Sequence, residues 1–164
     1  MTKVGLISDT HGFLDPKIYD LFNEVDEIWH AGDIGSLEVL EALEQFKPLR
    51  AVYGNIDGNE LRSRTPLVQQ FICEELKVLM THIGGYPGKY AVGIKKQLRD
   101  FSPRLFICGH SHILKIINDS DLNILHINPG AAGKYGFHQV RTAIRFSLDK
   151  GNIQDMEVIE FASR

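Results

Sequence analysis

The sequence predicts an α/β chain in which two mixed β-sheets pack face to face as a sandwich flanked by helices, and three observations predict it. Up to Tyr53, short apolar runs alternate with amphipathic stretches in β-α-β-α-β order, which implies parallel strands with helices covering a face. Beyond Gly109 the pattern changes to antiparallel hairpins, which extend or face the parallel core. No repeat, linker or low-complexity segment interrupts the chain, so residues 1–164 read as a single domain.

The elements follow in order. Residues 4–8 (VGLIS) form a buried strand, and 16–23 a helix started by Asp15. Residues 27–30 are a short strand, Ser36 caps a helix reaching about Gln45, and 49–53 are a third strand after the Lys47-Pro48 break. Two adjacent strands come next, 68–74 and 77–82, then a helix over 90–101 and a strand over 105–109. Residues 113–118 and 122–128 flank Asp119-Ser120-Asp121 as a hairpin, and 140–148 pairs with 153–161 across Asp149-Lys150-Gly151-Asn152.

Composition narrows the function classes. The 164 residues suffice to bury a core without disulfides or a structural metal. Lys plus Arg number 18 against 21 Asp plus Glu, and the net charge of −3 gives no footprint for duplex nucleic acid or an anionic membrane. Cys73 and Cys108 lie in apolar runs without a CxxC neighbour and read as buried reduced thiols. The opening MTKVGLISDTHG has no basic region, long apolar stretch or cleavage site, so a cytoplasmic location is expected. Amphipathic patterns do not separate core from interface, which leaves a homo-oligomer open.

Ligands of open α/β sheets gather beyond the carboxyl ends of the strands, so the residues after each apolar run are the ones to inspect. The first three strands end in Asp9-Thr10-His11, Gly32-Asp33 and Gly54-Asn55-Ile56-Asp57. Two later strands end at His82 and at Gly109-His110-Ser111-His112. Taken singly, Asp9-x-His11 is also an Asx-capped turn, Asn55 a left-handed turn residue and His82 a core histidine. His110-x-His112 is sharper, because alternate residues of an extended segment share a face. One hypothesis, a metal pair at the sheet edge, accounts for Asp9, His11, Asp33, Asn55, His82, His110 and His112 together. A nitrogen and oxygen donor set without thiolate suits two divalent transition-metal ions, Mn foremost, with Ni, Fe, Co or Zn as alternatives, better than Ca or Mg. Gly12, Gly32, Gly54 and Gly109 stand where backbone would have to pass close to the ions.

These motifs resemble, in order, the Asp-x-His, Gly-Asp, Gly-Asn-x-Asp/Glu, His and Gly-His-x-His series of the calcineurin-like metallophosphoesterase superfamily, over residues 9–112. The short chain, the SDTHG opening, THIGG and NPGAAG resemble its small YfcE-type phosphodiesterase branch. The resemblance implies a four-layer αββα fold. It also implies that Asp9, His11 and His112 hold one ion, that Asn55, His82 and His110 hold the other, and that Asp33 bridges them. Two ions roughly 3.5 to 4 Å apart would then lower the pKa of a shared water, whose hydroxide attacks phosphorus in line.

Many members of the superfamily carry a His where this chain has Ile56, so the general acid stays unassigned. Asp57 and His30 are candidates for orienting the metal ligands, His30 alternatively for assisting the leaving group. Lys134 and His138, in the glycine-rich stretch 130–138, are candidates for a substrate-facing loop. His126 is expected to face solvent or a strand neighbour, and its replacement by Ala to do little. The expected activity is hydrolysis of a small or single-stranded phosphodiester. Two alternatives stand beside it: a phosphomonoesterase or nucleotidase, and an inactive scaffold that binds protein partners, as in the retromer coat subunit of the same fold.

Overall fold

The computed structural model describes residues 1–164. Their elements run β1 (Thr2–Ile7), α1 (Lys17–Leu21), β2 (Glu27–His30), α2 (Leu37–Phe46), β3 (Leu49–Ala51), α3 (Asn59–Arg64), β4 (Val68–Cys73) and β5 (Leu76–Thr81). They continue with β6 (Gly85–Tyr86), β7 (Lys89–Tyr90), α4 (Ile94–Phe101), β8 (Leu105–Ile107), β9 (Leu114–Asp119), β10 (Ile124–Pro129), β11 (Val140–Asp149) and β12 (Asn152–Ser163).

One sheet has the order β12-β11-β1-β2-β3 and the other β4-β5-β8-β10-β9. In each, three strands run parallel (β1, β2, β3 and β5, β8, β10) and the remaining ones antiparallel, so both sheets are mixed. Between the sheets, Val4, Leu6, Trp29 and Ala31 meet Val78, Met80, Leu105 and Ile107 in one apolar cluster. The outer face of the first sheet buries Ile7, Ile28 and Ala51 under Ile18 of α1, Val39, Leu40 and Leu43 of α2, and Leu61 of α3. The other outer face buries Leu79 and Phe106 under Ile94 and Leu98 of α4. Helices, sheet, sheet and helix make four layers, the αββα stack that the sequence predicts.

Register decides where the site forms. Ile7 pairs with His30 and His30 with Ala51, so β1, β2 and β3 finish level. Met80 pairs with Ile107, so β5 and β8 do the same in the other sheet. The residues that follow all five strands therefore emerge along one rim of the sandwich.

Several boundaries differ from expectation for physical reasons. The helix predicted from residue 90 begins at Ile94, because Lys89–Tyr90 pairs with Gly85–Tyr86 as a small hairpin and Gly93 (φ 82°) turns the chain through a left-handed conformation. α1 covers only Lys17–Leu21; Phe22 leaves the helix and lays its ring against Gly5 of β1, where a Cβ would not fit. α3 has no counterpart in the sequence reading, since Leu61 is its one buried residue and a single apolar position carries no period. Ser36 caps α2 as expected, its side chain accepting from the Val39 amide. Cys73 and Cys108 are buried free thiols. His126 is not at the surface: it is fully buried, packed on Phe106 with ring centroids 5.5 Å apart, and neither ring nitrogen has a hydrogen-bond partner. No helix is long and apolar enough to cross a membrane.

Candidate metal centre

Each donor reaches the rim from a loop that begins where a parallel strand stops. Asp9 and His11 follow β1, Asp33 follows β2, His82 follows β5, and His110 and His112 follow β8. The loops are fastened to one another by backbone: the amides of Asp9 and His11 donate to Gly32 and Asp33 at 2.9 and 3.0 Å, and the Gly109 amide donates to His82 at 2.9 Å. Five donor residues sit at left-handed backbone angles that side-chain-bearing residues rarely adopt: Asp9 (φ 55°), His11 (46°), Asp33 (53°), His110 (73°) and His112 (61°). Six other such residues stand in strand turns, a helix end and a strand irregularity, whereas these five converge on one rim, as strain at a functional site does.

The donor atoms fall into two groups, Asp9–His11–His112 and Asp33–His82–His110, each with its atoms within 4.8 Å of one another. Asp33 lies between the groups, its Oδ2 3.1 Å from His82 Nε2 and 3.4 Å from His11 Nε2. Asp9 Oδ1 is 3.2 Å from His112 Nε2, 3.8 Å from His11 Nε2 and 3.9 Å from His82 Nε2. In each carboxylate the other oxygen is held by protein: Asp9 Oδ2 accepts from Ser8 Oγ (2.6 Å) and the His110 amide (3.2 Å), and Asp33 Oδ1 from the Ile56 amide (3.1 Å). One oxygen is thus anchored and its twin aimed at the imidazoles.

His82 shows what belongs between them. Its Nδ1 lies 2.8 Å from the Ala31 carbonyl, which can only accept, so Nδ1 carries the proton. In the neutral ring Nε2 then turns a lone pair toward the carboxylate oxygens, an opposition that a proton or a metal ion between them relieves. Asp9 Oδ1, His11 Nε2 and His82 Nε2 are buried with no hydrogen-bond partner. Ligands about 2.1 Å from a common ion stand about 3.0 to 3.4 Å apart, which matches Asp33–His82, Asp9–His112 and Asp33–His11, while Asp9–His11 at 3.8 Å is wider. Burial opposes charge on Asp9, but His11 and His112 outweigh it and hold the carboxyl well below the usual carboxylate range. Burial likewise opposes charge on Asp33 and on His82, yet each is favoured by the other: Asp33 is shifted down and His82 up.

Asn55 lies exposed on the loop after β3, where Gly54 and Ile56 on either side contact Asp33. Asp57 is buried and holds two loops together, its carboxylate accepting from the amides of Ile34 (3.1 Å), Gly35 (2.8 Å) and Gly54 (2.8 Å). Those are the loops that carry Asp33 and Asn55. His30 is buried; its Nδ1 accepts from the Gly32 amide (3.1 Å) and its Nε2 donates to Thr10 Oγ1 (2.9 Å), whose own hydrogen goes to the Ile34 carbonyl. With both nitrogens occupied it joins the Asp9–His11 loop to the Asp33 loop and is no leaving-group acid. Burial pushes its pKa down to about 4, which keeps it neutral.

Lys134 Nζ lies over the Phe13 ring, 4.2 Å from its centroid, and His138 Nε2 donates to the Gly133 carbonyl at 2.7 Å with its ring 5.1 Å from that of His112. Gly32, Gly54 and Gly109 press against His82, Asp33 and Asp9, where a Cβ would collide, whereas Gly12 meets only backbone at 4.0 Å. Ser8, Thr10 and Asn128 escaped the sequence reading. Asn128 is buried and its amide donates to the Gly109 carbonyl (2.9 Å) and Ser111 Oγ (3.1 Å), steadying the loop of His110 and His112. Its place in the NPGAAG stretch was the available signal, but a buried Asn in a strand has no spacing that announces its partner.

Comparison with known proteins agrees with this geometry. The family model of the calcineurin-like phosphoesterase superfamily domain matches residues 2–151. A probable metallophosphoesterase from Methanothermobacter thermautotrophicus is 33% identical over 137 residues, 78% of this chain and 76% of the relative. A solved structure described as a novel archaeal phosphodiesterase superposes with a TM-score of 0.73 at 25% identity, covering 96% of this chain and 99% of that one. Vps29 from Chaetomium thermophilum superposes with a TM-score of 0.76 at 15% identity over 100% of both chains, a likeness of fold.

Proposed function

The chain belongs to the calcineurin-like phosphoesterase superfamily and is a metal-dependent phosphoesterase, and we propose that its substrate is a small or single-stranded phosphodiester. The single observation that carries the reading is the pair of donor groups meeting at Asp33 and Asp9, with buried donor atoms left unsatisfied by protein. Asp9, His11 and His112 would hold one ion, His82, His110 and Asn55 the other, with Asp33 shared. Manganese is the first candidate, and Ni, Fe, Co and Zn have the same claim by donor chemistry. The chemistry such ions supply when bound is Lewis acidity toward water and toward the phosphoryl oxygens.

The residues of the chain do the rest. Ser8, the His110 amide and the Ile56 amide fix the carboxylates, and Ala31 fixes the His82 tautomer, so the donors need no reorganisation. Ile56 offers no proton at the position where many relatives have His, and it is exposed beside Asp33. Leaving groups that need no acid assistance should therefore turn over fastest. A diester suits this rim because it brings one negative charge and a second organic arm, which exposed Ile56 and Ile113 can accept better than a doubly charged monoester. The archaeal relative described as a phosphodiesterase supports the same choice. The free buried thiols fit a reducing cytoplasm.

The test is hydrolysis of bis(p-nitrophenyl) phosphate and p-nitrophenyl phosphate by chelator-stripped protein, with Mn, Ni, Co, Zn or Mg restored singly. Metal-dependent turnover with the diester at least about tenfold ahead in kcat/KM is expected. A monoester preference would make the chain a phosphomonoesterase. Two ions bound without turnover of either ester would favour a scaffold, the reading to which the Vps29 likeness of fold belongs.

A further inference from the structure

The loop 133–138 (GKYGFH) presents two large aromatic side chains to solvent beside the donors. Phe137 is 102% exposed and Tyr135 71%, although burial is what ordinarily places such side chains. Nothing about the loop is loose enough to explain them as chance. His138 closes it by donating to Gly133 and sets its ring edge-on to His112, at 79° between planes. Gly136 (φ 131°) passes against the His112 ring where any Cβ would collide, so only glycine lets the chain approach the donor so closely. Tyr135 lies over His11 with ring centroids 5.0 Å apart and planes tilted by 34°. Two residues on, Phe137 makes no aromatic contact with the protein.

Between these rings and the donors opens a cavity of about 380 Å³ lined by His110, Ser111, His112, Ile113, Tyr135 and Phe137. That volume lies within the usual range for small-molecule sites. It is continuous with the metal centre, since His110 and His112 belong to both. Its lining is mostly apolar, made by Ile113 and the flat faces of Tyr135 and Phe137, with the imidazoles at the end nearest the donors. Flat faces give a planar ring contact over its whole area, which a flexible alkyl chain must lose conformational freedom to match. Lys134, over the Phe13 ring, adds a cation to the same loop for an anionic ester.

We infer that Tyr135 and Phe137 form a stacking platform for a planar aromatic group of nucleobase type, carried on one arm of the phosphate ester, so that the chain selects nucleoside phosphate esters over alkyl ones. The inference rests on the phosphoesterase site described above and names its substrate class. Stacking is tolerant of which base is presented and needs only a flat ring within reach of the bound phosphate.

Calorimetric titration of the manganese-loaded protein with thymidine 5′-monophosphate, hexyl phosphate and methyl phosphate tests it separately from diester hydrolysis. The nucleotide should bind about tenfold more tightly than methyl phosphate, with hexyl phosphate close to methyl. In Phe137→Ala and in Tyr135→Ala the ratio of nucleotide to methyl phosphate affinity should fall severalfold toward one, and Phe137→Trp should retain it. A ratio near one in the unaltered protein, an equal gain for hexyl phosphate, or a ratio unchanged in Tyr135→Ala/Phe137→Ala overturns the platform. Failure of diester hydrolysis with the affinity ratio intact counts against the phosphodiesterase reading and leaves the platform standing.

Discussion

Asp33 is the residue on which most of the site depends, because one of its oxygens faces both His82 and His11 while the other is tied to the Ile56 amide. Asp33→Asn keeps the shape but removes the charge, and should lower bound metal from two ions per chain to one or none and turnover by at least about 100-fold, read by elemental analysis and by ester hydrolysis. Full metal content with full turnover in Asp33→Asn would overturn the assignment. Side chains such as this were legible because aspartate and histidine recur after five strands, a coincidence that turns alone do not produce. What held them was legible only in His30 and Asp57: Ser8, Thr10 and Asn128 act through hydrogen bonds to residues 1 to 24 positions away, which no local pattern encodes. His126 was left open between solvent and a strand neighbour for the complementary reason, since one polar residue in an apolar strand can lie on either face until the register is known, and the structure sets it against its strand partner Phe106. Burial pushes its pKa down to about 4 from the ordinary 6.5, so the unfolded chain binds the extra proton first and stability falls as pH drops through that window. His126→Leu should remove up to about 3 kcal/mol of this acid lability, whereas His126→Ala should cost about 2 to 4 kcal/mol at pH 7 by opening a cavity against Phe106. Urea unfolding at pH 7 and pH 5 would measure both, and a His126→Leu curve parallel to that of the parent would show that the ring is not neutral by burial.

Among the elements, the connection from β3 to α3 is the one whose geometry the metal centre relies on most. Arg62 of α3 donates to the Asp57 carbonyl at 2.6 Å, Asp57 gathers the amides of Ile34, Gly35 and Gly54, and Gly54 lies flush against Asp33. A Cβ on residue 54 would collide with the Asp33 carboxylate and its own amide nitrogen, both atoms of a buried and rigid loop. Gly54→Ala should therefore lower metal affinity by about 10- to 100-fold and the unfolding midpoint with it, because residue 54 is buried where a methyl group has no room. Unchanged metal affinity in Gly54→Ala would mean that the loop yields and that Asp33 is positioned from elsewhere. Clear local signals made the other elements readable: the Asp149-Lys150-Gly151-Asn152 turn between β11 and β12, and the apolar face of α2 behind its Ser36 cap. α3 and the β6–β7 hairpin were not readable because one buried leucine and two paired residues lie below the length at which a period exists. Their stability comes from neighbours, Asp57 for α3 and the Tyr90 hydroxyl bond to Asp119 (2.6 Å) for the hairpin.

Across the whole molecule, the metal centre sits where the two sheets meet at their common rim, so it joins halves that are also held by apolar packing and by hydrogen bonds such as those from Gln69 Nε2 to the Ala51 carbonyl and from Thr142 Oγ1 to the Pro129 carbonyl. His82 of the second sheet donates to Ala31 of the first, the His110 amide donates to Asp9, and His82 and Asp33 favour each other's charge across the rim, while Asp9 Oδ1, His11 Nε2 and His82 Nε2 stay buried without hydrogen-bond partners. Without cations, two buried aspartates and the strained angles of Asp9, His11, Asp33, His110 and His112 are sustained by hydrogen bonds and packing alone. Metal should therefore stabilise the fold by linkage: an ion present at 100 times its dissociation constant contributes about 2.7 kcal/mol per site. For a chain of this size each kcal/mol moves the midpoint by about 2 to 4 °C. Chelation should lower the thermal midpoint by about 5 to 10 °C per ion lost, and the drop should shrink in Asp33→Asn, which has less metal to lose. A midpoint that chelator leaves unchanged, in protein shown to bind two ions, would mean that the rim is already rigid and that the metals act on substrate alone.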